Sequence, residues 1–316
     1  MTITQLQYVL AVAEHQNFTK AAAKVFVTQP TLSMQIQKLE EELDIQIFDR
    51  TKKPIQLTET GKKIVNQARN IVNESDRIQD IVDQQKGFIG GEFRLGVIPT
   101  VMPTLLPMFL TNFIRKYPKV KLKIEELNTE AIIEKLKEGH LDAAIAATPL
   151  EMPGIREQVL YYEPFVAYIP AGHRLAKQDK LEAEDLDVDD MLLLEDGHCF
   201  KDGILNLCKA SRNYDGDNFQ LESGSFETLI KLSNEGLGMT LLPYLHTLDI
   251  KETEKGKLKM FKDPVPAREV SLIYNKSELK IQIIEALRTT IAGVIKGAIA
   301  FQNVKIISPV SNKLKG

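Results

Sequence analysis

Apolar residues recur at helical spacing in three short stretches at the start of the chain. The first stretch predicts an amphipathic helix over residues 3–15. An alanine-rich second helix is predicted at Lys20–Val25, and a third helix runs from the capping residue Thr28 to about Leu43. Two short strands, separated by a basic turn, follow before residue 58. Residues 1–58 are therefore predicted to form a winged helix-turn-helix domain.

A long amphipathic helix is predicted next, from Glu59 to Lys86. Its apolar positions alternate four and three residues apart, which is close to a heptad repeat. The repeat consists of Ile64, Ala68, Ile71, Ser75, Ile78 and Val82. Residues 59–87 are interpreted as a linker that pairs with the same helix of a second subunit; packing on its own domain is the alternative.

Strands and helices alternate along the rest of the chain. The order strand, helix, strand, helix, strand over residues 93–146 predicts a parallel sheet with helices on both faces. A further strand is predicted to begin a second sheet at Pro164, a late strand at Arg268–Tyr274, and a closing helix at Lys280–Lys296. The fold class is therefore α/β, behind an N-terminal winged helix-turn-helix.

The domain boundaries follow from these elements. The large domain is expected over residues 88–300 and consists of two α/β subdomains. We expect subdomain I to contain residues 92–163 and 268–300, and subdomain II to contain residues 164–267. Residues 301–316 show no clear pattern and are expected to form a mobile tail.

Composition and charge narrow the cellular setting. With 43% hydrophobic and 26% charged residues, the 316-residue chain has the composition of an ordinary soluble protein. Its net charge of −3 produces no global attraction to DNA, so nucleic-acid contacts must come from local patches. The chain shows no signal peptide and no apolar run of about 18 residues, so we expect a cytoplasmic protein without membrane contact.

The only two cysteines, Cys199 and Cys208, lie nine positions apart, and His198 precedes the first. The apolar spacing of Phe200, Ile204 and Cys208 predicts one face of a helix. A regular helix would separate the cysteines by about 13 Å, whereas a disulfide requires Cα atoms about 4.4–6.8 Å apart. A disulfide would therefore require the segment to refold. Two buried thiols that act as small hydrophobic side chains are the alternative.

The N-terminal motif resembles the DNA-binding domain of LysR-type transcriptional regulators. The resemblance rests on Ala21-Ala22-Ala23, Thr28 to Leu43, Phe48-Asp49-Arg50-Thr51 and Leu57 to Gly61. It implies that the third helix enters the major groove while the wing contacts the DNA backbone. It also implies a periplasmic-binding-protein-like effector domain, a dimer or tetramer, promoter DNA as partner, and contact with RNA polymerase.

The resemblance assigns DNA contacts to particular residues. Base contacts are assigned to Gln29, Pro30, Thr31, Ser33, Met34 and Gln37. Phosphate contacts are assigned to Lys20, Lys24, Arg50, Lys52 and Lys53. Many members of the family have a basic residue in place of Met34, so we expect Met34 to contact a thymine methyl group. The acidic residues Glu40, Glu41, Glu42 and Asp44 are interpreted as a solvated helix end away from DNA.

The cysteine segment resembles the sensing segment of the LysR-type activators of peroxide-defence genes. Leu192 to Cys199, followed by Asp202 and Cys208, carries this resemblance, together with Gly96 to Val101 and Gly238 to Pro243. It implies hydrogen peroxide as the signal, cytosolic thiols as reductants, and no cofactor or metal. Attack by Cys199 would give a sulfenic acid that Cys208 converts to a disulfide.

The same resemblance supplies the surroundings of Cys199. Thr100 would hold a peroxide oxygen, Thr129 would anchor a water molecule, and Arg268 would be a nearby cation. His198 and Asp202 would order the pocket. The bland alternatives are helix caps for the two threonines and a surface charge for Arg268.

Two other classes of function compete with a redox-switched regulator. One is a LysR-type regulator that responds to a small organic effector and has incidental cysteines. The other is an enzyme of the thiol peroxidase type, or a zinc protein. A peroxidase has no use for a groove-reading domain, and the short spacing between cysteines that is typical of zinc sites is absent from the sequence. We therefore expect a regulator and not an enzyme.

Overall fold

The computed structural model describes residues 1–85, 89–194, 199–208, 225–299 and 304–309. The chain separates into two units, residues 1–88 and residues 89–316. Within the described residues, no helix is both long enough and apolar enough to cross a lipid bilayer.

The first unit consists of four helices and a two-stranded antiparallel hairpin. Its elements are α1 (Ile3–His15), α2 (Phe18–Lys24), α3 (Gln29–Leu43), β1 (Phe48–Asp49), β2 (Gln56–Leu57) and α4 (Glu59–Gln85). The side chains of Thr2, Asn17 and Thr28 cap the first three helices. Because Asn17 is the cap, α2 begins at Phe18, earlier than the predicted start at Lys20. The predicted order of helices and strands is confirmed.

Helix α4 is held close to the hairpin at its start. A Cβ atom on Gly61 would lie 2.1 Å from the carbonyl oxygen of Ile47, so only glycine fits there. The first half of α4 packs into the core of its own unit through Val65 and Ala68. The second half exposes apolar residues, with Ile78 65% accessible. The heptad positions Ile64, Ala68 and Ile71 therefore pack within the first unit, whereas Ile78 and Val82 are exposed.

The second unit alternates strands and helices throughout. Its first elements are β3 (Gly91–Val97), α5 (Met102–Lys116), β4 (Val120–Glu126), α6 (Thr129–Lys137), β5 (Ala143–Thr148) and β6 (Ile155–Tyr168). The middle elements are β7 (Lys180–Leu181), two 3-10 turns (Ala183–Asp185 and Val188–Asp190), α7 (Cys199–Leu207), α8 (Phe226–Asn234), β8 (Thr240–Pro243) and α9 (Tyr244–Thr247). The last are a 3-10 turn (Glu252–Lys257), β9 (Leu258–Phe261), β10 (Val265–Asn275), α10 (Ile281–Ile295) and β11 (Val304–Ile306).

The sheet is parallel where the sequence predicts it and mixed elsewhere. Strand β3 lies between β4 and β5 and pairs in parallel with both. Strand β10 then pairs antiparallel with β5 on one side and β6 on the other. Apolar side chains of β3 and β5 are buried because helices α5, α6 and α10 cover this sheet.

Strands β6 and β10 run through both halves of the unit. Residues 155–164 of β6 pair with β10, and residues 165–168 pair with β8. The strand expected to begin at Pro164 is therefore the second part of one continuous strand. Two separate hydrophobic cores lie along this pair, one around Phe93 and Phe109 and the other around Phe165 and Phe200. The predicted class, two α/β halves behind a helix-turn-helix, is confirmed.

The C-terminal segment includes an element that the sequence pattern does not reveal. Strand β11 pairs in parallel with residues 265–267 of β10, and the Ile307 amide donates to the Ala267 carbonyl at 2.9 Å. Ile307 is buried in the second core. The expectation of a mobile tail over residues 301–316 is therefore wrong for residues 304–309, and residues 301–303 and 310–316 lie outside the described part of the chain.

Candidate functional site

The side chains assigned to base contacts lie on the first turns of α3. The Thr28 hydroxyl caps the helix by accepting from the Thr31 amide at 3.5 Å. Gln29, Pro30, Thr31, Met34 and Gln37 are exposed, and Ser33 is partly buried. The opposite face of α3 is buried through Leu32 and Ile36. The buried face anchors α3 in the core of the unit, and the opposite face exposes polar groups and the Met34 thioether to solvent.

Arg50 and Glu40 fix the wing to α3. The buried Glu40 carboxylate accepts from the amides of Ile47 and Phe48 at 2.8 and 3.2 Å, and from Arg50 Nη2 at 2.8 Å. The Arg50 guanidinium also lies over the Phe18 ring. The interpretation of Glu40 as part of a solvated helix end is therefore wrong, because its carboxylate binds backbone amides. Arg50, assigned to phosphate, is already engaged within the unit.

The remaining side chains assigned to phosphate are four exposed lysines. Lys20 and Lys24 lie on α2, and Lys52 and Lys53 lie in the wing between β1 and β2. Exposed ammonium groups bind phosphate through their charge and carry no sequence information themselves. These four lysines give the first unit exposed positive charge on a chain whose net charge is −3.

Helix α7 begins at Cys199 and continues in register to Cys208, whose amide donates to the Ile204 carbonyl at 2.9 Å. The predicted helical spacing is confirmed, so the two Cα atoms are separated by about 13 Å of helix. Phe200, Ile204 and Cys208 are buried on the same face. The position of Cys199 in the first turn exposes it to the positive end of the helix dipole.

Cys208 lies in an apolar pocket of the second core. Its thiol donates to the Met191 sulfur at 3.8 Å and is 5% exposed. Burial, with a smaller contribution from the charge of Asp187, raises the pKa of Cys208 to about 11. Cys208 is therefore a neutral thiol at pH 7 in this structure.

A buried chain of hydrogen bonds connects Thr100, Arg268 and Glu163. Arg268 Nη1 donates to the Thr100 hydroxyl at 2.8 Å, and Nη2 donates to the Thr100 carbonyl at 3.1 Å. Arg268 Nε and Nη2 donate to Glu163 Oε2 at 2.9 and 2.7 Å. The guanidinium also lies over the Phe200 ring, 5.2 Å from its centroid. Thr100 and Arg268 are thus brought together beside the residue that follows Cys199.

The bland interpretations of these residues are wrong. Arg268 is 2% exposed and paired, so it is not a surface charge. Thr100 does not cap α5, whose cap residue is Val101, and Thr129 does not cap α6, because Asn128 accepts from the Ala131 amide instead. Neither threonine hydroxyl therefore serves as a helix cap, and that of Thr100 accepts from Arg268 instead.

The structure gives fewer contacts for the remaining residues assigned to the surroundings of Cys199. The Thr129 hydroxyl oxygen is buried and has no hydrogen-bond partner within the described residues. Asp202 lies in the first turn of α7 and is partly buried. His198 falls outside the described residues, and the side chain of Cys199 does too. An unpartnered buried hydroxyl on Thr129 is the feature expected of a site that holds a small polar molecule.

Three residues near this chain of hydrogen bonds were missed by the sequence argument. Glu163 is fully buried. The Tyr161 hydroxyl is buried, and its pKa is raised well above the ordinary value by burial and by the charge of Glu163. His246 packs on Phe226, and burial lowers its pKa. Glu163 is the one acid in the aromatic and apolar run from Tyr161 to Val166, and this position in the sequence could have indicated a buried carboxylate.

A cavity of about 670 Å³ lies beside His246. It is lined by apolar groups such as Pro99 and Phe226 and by charges of both signs, including Glu227 and Lys251. Neither Thr100 nor Arg268 belongs to its lining. Within the described residues, no group of three His, Cys, Asp or Glu side chains is placed to hold a metal ion.

Comparison with known families assigns both units. Residues 3–62 match the bacterial regulatory helix-turn-helix protein, lysR family, and residues 86–295 match the LysR substrate binding domain. The chain belongs to the LysR family. One relative of this chain is the "DNA-binding transcriptional dual regulator OxyR" of Escherichia coli (strain K12). The two sequences are 33% identical over 93% of this chain and 97% of the relative.

This LysR-family chain is also similar to other named activators. The "Hydrogen peroxide-inducible genes activator" of Pectobacterium carotovorum subsp. carotovorum is 33% identical over 87% of this chain and 90% of the relative. Among solved structures, a full-length OxyR mutant from Pseudomonas aeruginosa matches with a TM-score of 0.74 and 32% identity, covering 92% of this chain and 98% of that one. A hydrogen-peroxide-bound OxyR mutant from Corynebacterium glutamicum matches with a TM-score of 0.63 and 28% identity, over 96% and 98% of the chains.

Proposed function

We propose that this LysR-family regulator senses hydrogen peroxide through Cys199 and Cys208 and activates oxidative-stress genes. The observation that carries the proposal is helix α7, which begins at one cysteine and ends beside the other, in a chain similar to hydrogen peroxide-inducible activators. The buried Thr100–Arg268 contact, and a buried Thr129 hydroxyl that has no hydrogen-bond partner among the described residues, support a site for a small polar ligand.

The proposed chemistry begins at Cys199. Its thiolate sulfur attacks one peroxide oxygen; the S–O bond forms, the O–O bond breaks, and hydroxide leaves and takes up a proton. Thr100 donates a hydrogen bond to the peroxide, Thr129 holds a water molecule, and His198 and Asp202 order the pocket. The product is a sulfenic acid on Cys199.

The second step couples chemistry to conformation. The Cys208 sulfur attacks the sulfenic sulfur, so that an S–S bond forms and water leaves. About 13 Å of helix cannot be bridged by a bond that needs Cα atoms about 4.4–6.8 Å apart, so α7 must unwind. Unwinding removes Phe200 and Ile204 from the second core, and the change is transmitted to the oligomer. Cytosolic thiols reduce the disulfide and reset the sensor.

DNA binding belongs to the first unit. The α3 residues Gln29, Pro30, Thr31, Ser33, Met34 and Gln37 contact bases. The lysines Lys20, Lys24, Lys52 and Lys53, with Arg50, contact phosphates. Exposed apolar residues late in α4 pair with the same helix of a second subunit, giving a dimer that assembles into a tetramer. The protein acts in the bacterial cytoplasm and contacts RNA polymerase at its promoters.

A thiol count before and after equimolar peroxide tests the proposal. We expect two free thiols to fall to none, and mass spectrometry of the digest to show the Cys199–Cys208 peptide pair. The Cys208→Ser variant is the matched control and should yield a trapped sulfenic acid at Cys199. An unchanged thiol count would instead favour a regulator with a small organic effector, for which the cavity beside Phe226 has a suitable volume. Continuous peroxide turnover without DNA binding would indicate a thiol peroxidase.

A further inference from the structure

Glu163 uses both carboxylate oxygens inside the second unit. One oxygen accepts from the Leu245 amide at the start of α9 at 2.9 Å, and the other accepts two hydrogen bonds from Arg268. Glu163 and Arg268 are directly opposite each other in the pairing of β6 with β10. Both side chains are almost completely buried. The position of the guanidinium is therefore set by Glu163.

The direction of the next hydrogen bond follows from the chemistry of arginine. A guanidinium only donates, so the Thr100 hydroxyl oxygen must be the acceptor at 2.8 Å from Arg268 Nη1. The hydroxyl has one proton, and that proton points away from Arg268. The Thr100 carbonyl is held by the same guanidinium, so the backbone cannot turn to change this arrangement.

The charge of Arg268 is already compensated. Its 2.7 Å contact with the buried Glu163 carboxylate makes the two side chains an ion pair without net charge. Arg268, expected as a cation near the thiolate, therefore also has a role in geometry. The ion pair holds the Thr100 hydroxyl so that its proton points in a defined direction.

We propose that Glu163 is a positioning residue for the reaction of Cys199 with peroxide, because through Arg268 it fixes the Thr100 hydroxyl as a hydrogen-bond donor. The inference deepens the proposed function and rests on it. During attack by the Cys199 sulfur, negative charge develops on the peroxide oxygen that leaves as hydroxide. A preorganised donor aimed at that oxygen stabilises the transition state more than the bound peroxide.

A double-mutant cycle tests this inference. All proteins carry Cys208→Ser, so that oxidation stops at sulfenic acid, and the rate of that step is measured by stopped flow. The rates are compared on the plateau of the pH profile, where the thiolate fraction does not enter. We expect Thr100→Val and Glu163→Gln each to slow the step by at least about 10-fold, because each removes part of the stabilisation that one such donor supplies.

The decisive protein carries both Thr100→Val and Glu163→Gln. If Glu163 acts through Thr100, the double variant should be no more than about two-fold slower than Thr100→Val alone, because coupled effects are not additive. Equal slowing by Glu163→Gln in both backgrounds would overturn the inference, since a general loss of structure acts whether or not Thr100 is present. Glu235→Gln, an exposed acid at the end of α8, is the control and should leave the rate unchanged.

A second substitution guards against misfolding of Glu163→Gln. Arg268→Lys keeps the charge but lacks the planar fork that contacts Glu163 and Thr100 together. It should slow the step in the Thr100 protein and have little effect in the Thr100→Val protein; additive effects would again overturn the inference. If the parent protein forms no sulfenic acid at Cys199, the proposed function itself fails. If it does and the cycle is additive, only the role of Glu163 fails.

Discussion

The carboxylate of Glu40 holds the wing of the first unit against its DNA-contact helix. This buried carboxylate accepts hydrogen bonds from the backbone amides of Ile47 and Phe48 and from the Arg50 guanidinium. Removing it would leave the amides of Ile47 and Phe48 without their acceptor. Because buried polar groups that lose a partner cost far more than exposed ones, we expect this loss to destabilise the wing.

Replacement of Glu40 by alanine tests this role. We expect Glu40→Ala to lower the free energy of unfolding of the first unit by about 2 kcal/mol, because two buried amides lose their acceptor, and to weaken DNA binding, because the wing loses its anchor. Urea unfolding followed by circular dichroism measures the first effect. The exposed neighbour Glu41→Ala should change stability by less than about 0.5 kcal/mol, and equal effects at the two positions would contradict the account.

The buried thiol of Cys208 should be protected from alkylation in the reduced protein. Its pKa of about 11 lies two units above the ordinary value of 9.0, so the thiolate fraction at pH 8 is roughly 100-fold lower than in the unfolded chain. In a Cys199→Ser background, iodoacetamide should label Cys208 at least that much more slowly in native protein than in urea. Equal labelling rates would show that Cys208 is accessible and ionised before any oxidation.

Sequence reasoning at this scale identifies residues by type and position but not by partner. The cysteines, Thr100 and Arg268 were found because their neighbours carry a family resemblance. Glu40 was interpreted as solvated and Glu163 was given no role, because an acid in a helix or beside a proline is usually solvated. Only the fold shows that backbone amides and arginines converge on these two carboxylates.

At the scale of elements, the C-terminal segment fastens helix α7 to strand β10. Strand β11 pairs with β10, Ile307 enters the second core, and Asn206 of α7 donates to the Ser308 carbonyl at 3.0 Å. The segment therefore contacts both the strand that carries Arg268 and the helix that carries the cysteines. Its loss should loosen α7.

Truncation after residue 303 tests this contact. Loss of the buried Ile307 side chain alone should lower stability by about 2 kcal/mol, and the loosened helix should form the disulfide faster. Chemical unfolding of the reduced protein and the rate of thiol loss with peroxide are the measurements. The matched control is truncation after Pro309, which keeps every described contact of the segment. An unchanged stability in the shorter protein would contradict a structural role for β11.

The sequence predicted most of the elements and failed where pairing decides them. Periodicity identified α3, α4 and the parallel strands because their apolar faces are regular. Periodicity predicted a new strand at Pro164, although β6 continues through this residue. The reason is that a proline is common at the first residue of a strand, and here it lies where β6 exchanges β10 for β8 as its neighbour. Periodicity missed β11, since three residues carry too little pattern to be distinguished from a loop.

At the scale of the whole molecule, DNA affinity must come from a local patch on a chain of net charge −3. We expect binding to weaken steeply with salt, because each phosphate contact releases counterions. The double variant Lys52→Ala, Lys53→Ala should reduce the slope of log affinity against log salt by about 0.9 per lost contact. Fluorescence anisotropy with a promoter fragment measures the slope. Lys177→Ala, exposed in the second unit, is the control, and an equal reduction there would contradict the assignment.

The overall organisation was predictable because each unit repeats a regular pattern over many residues. The helix-turn-helix, the long helix and the alternating α/β elements each bury a face whose period can be read from the chain. The site depends on contacts between side chains that are distant in sequence. Glu163 and Arg268 lie opposite each other on the paired strands β6 and β10, and Arg268 donates to Thr100. No local pattern specifies these contacts.

The central claim is that a Cys199–Cys208 disulfide changes how the protein holds DNA, and footprinting tests it most directly. Reduced protein, protein treated with equimolar peroxide, and treated protein returned to a thiol reductant are compared on one promoter fragment. We expect the footprint to change on oxidation and to return on reduction, and the Cys208→Ser variant to keep the reduced footprint throughout. An identical footprint in all three states, with the disulfide verified by mass spectrometry, would contradict the account.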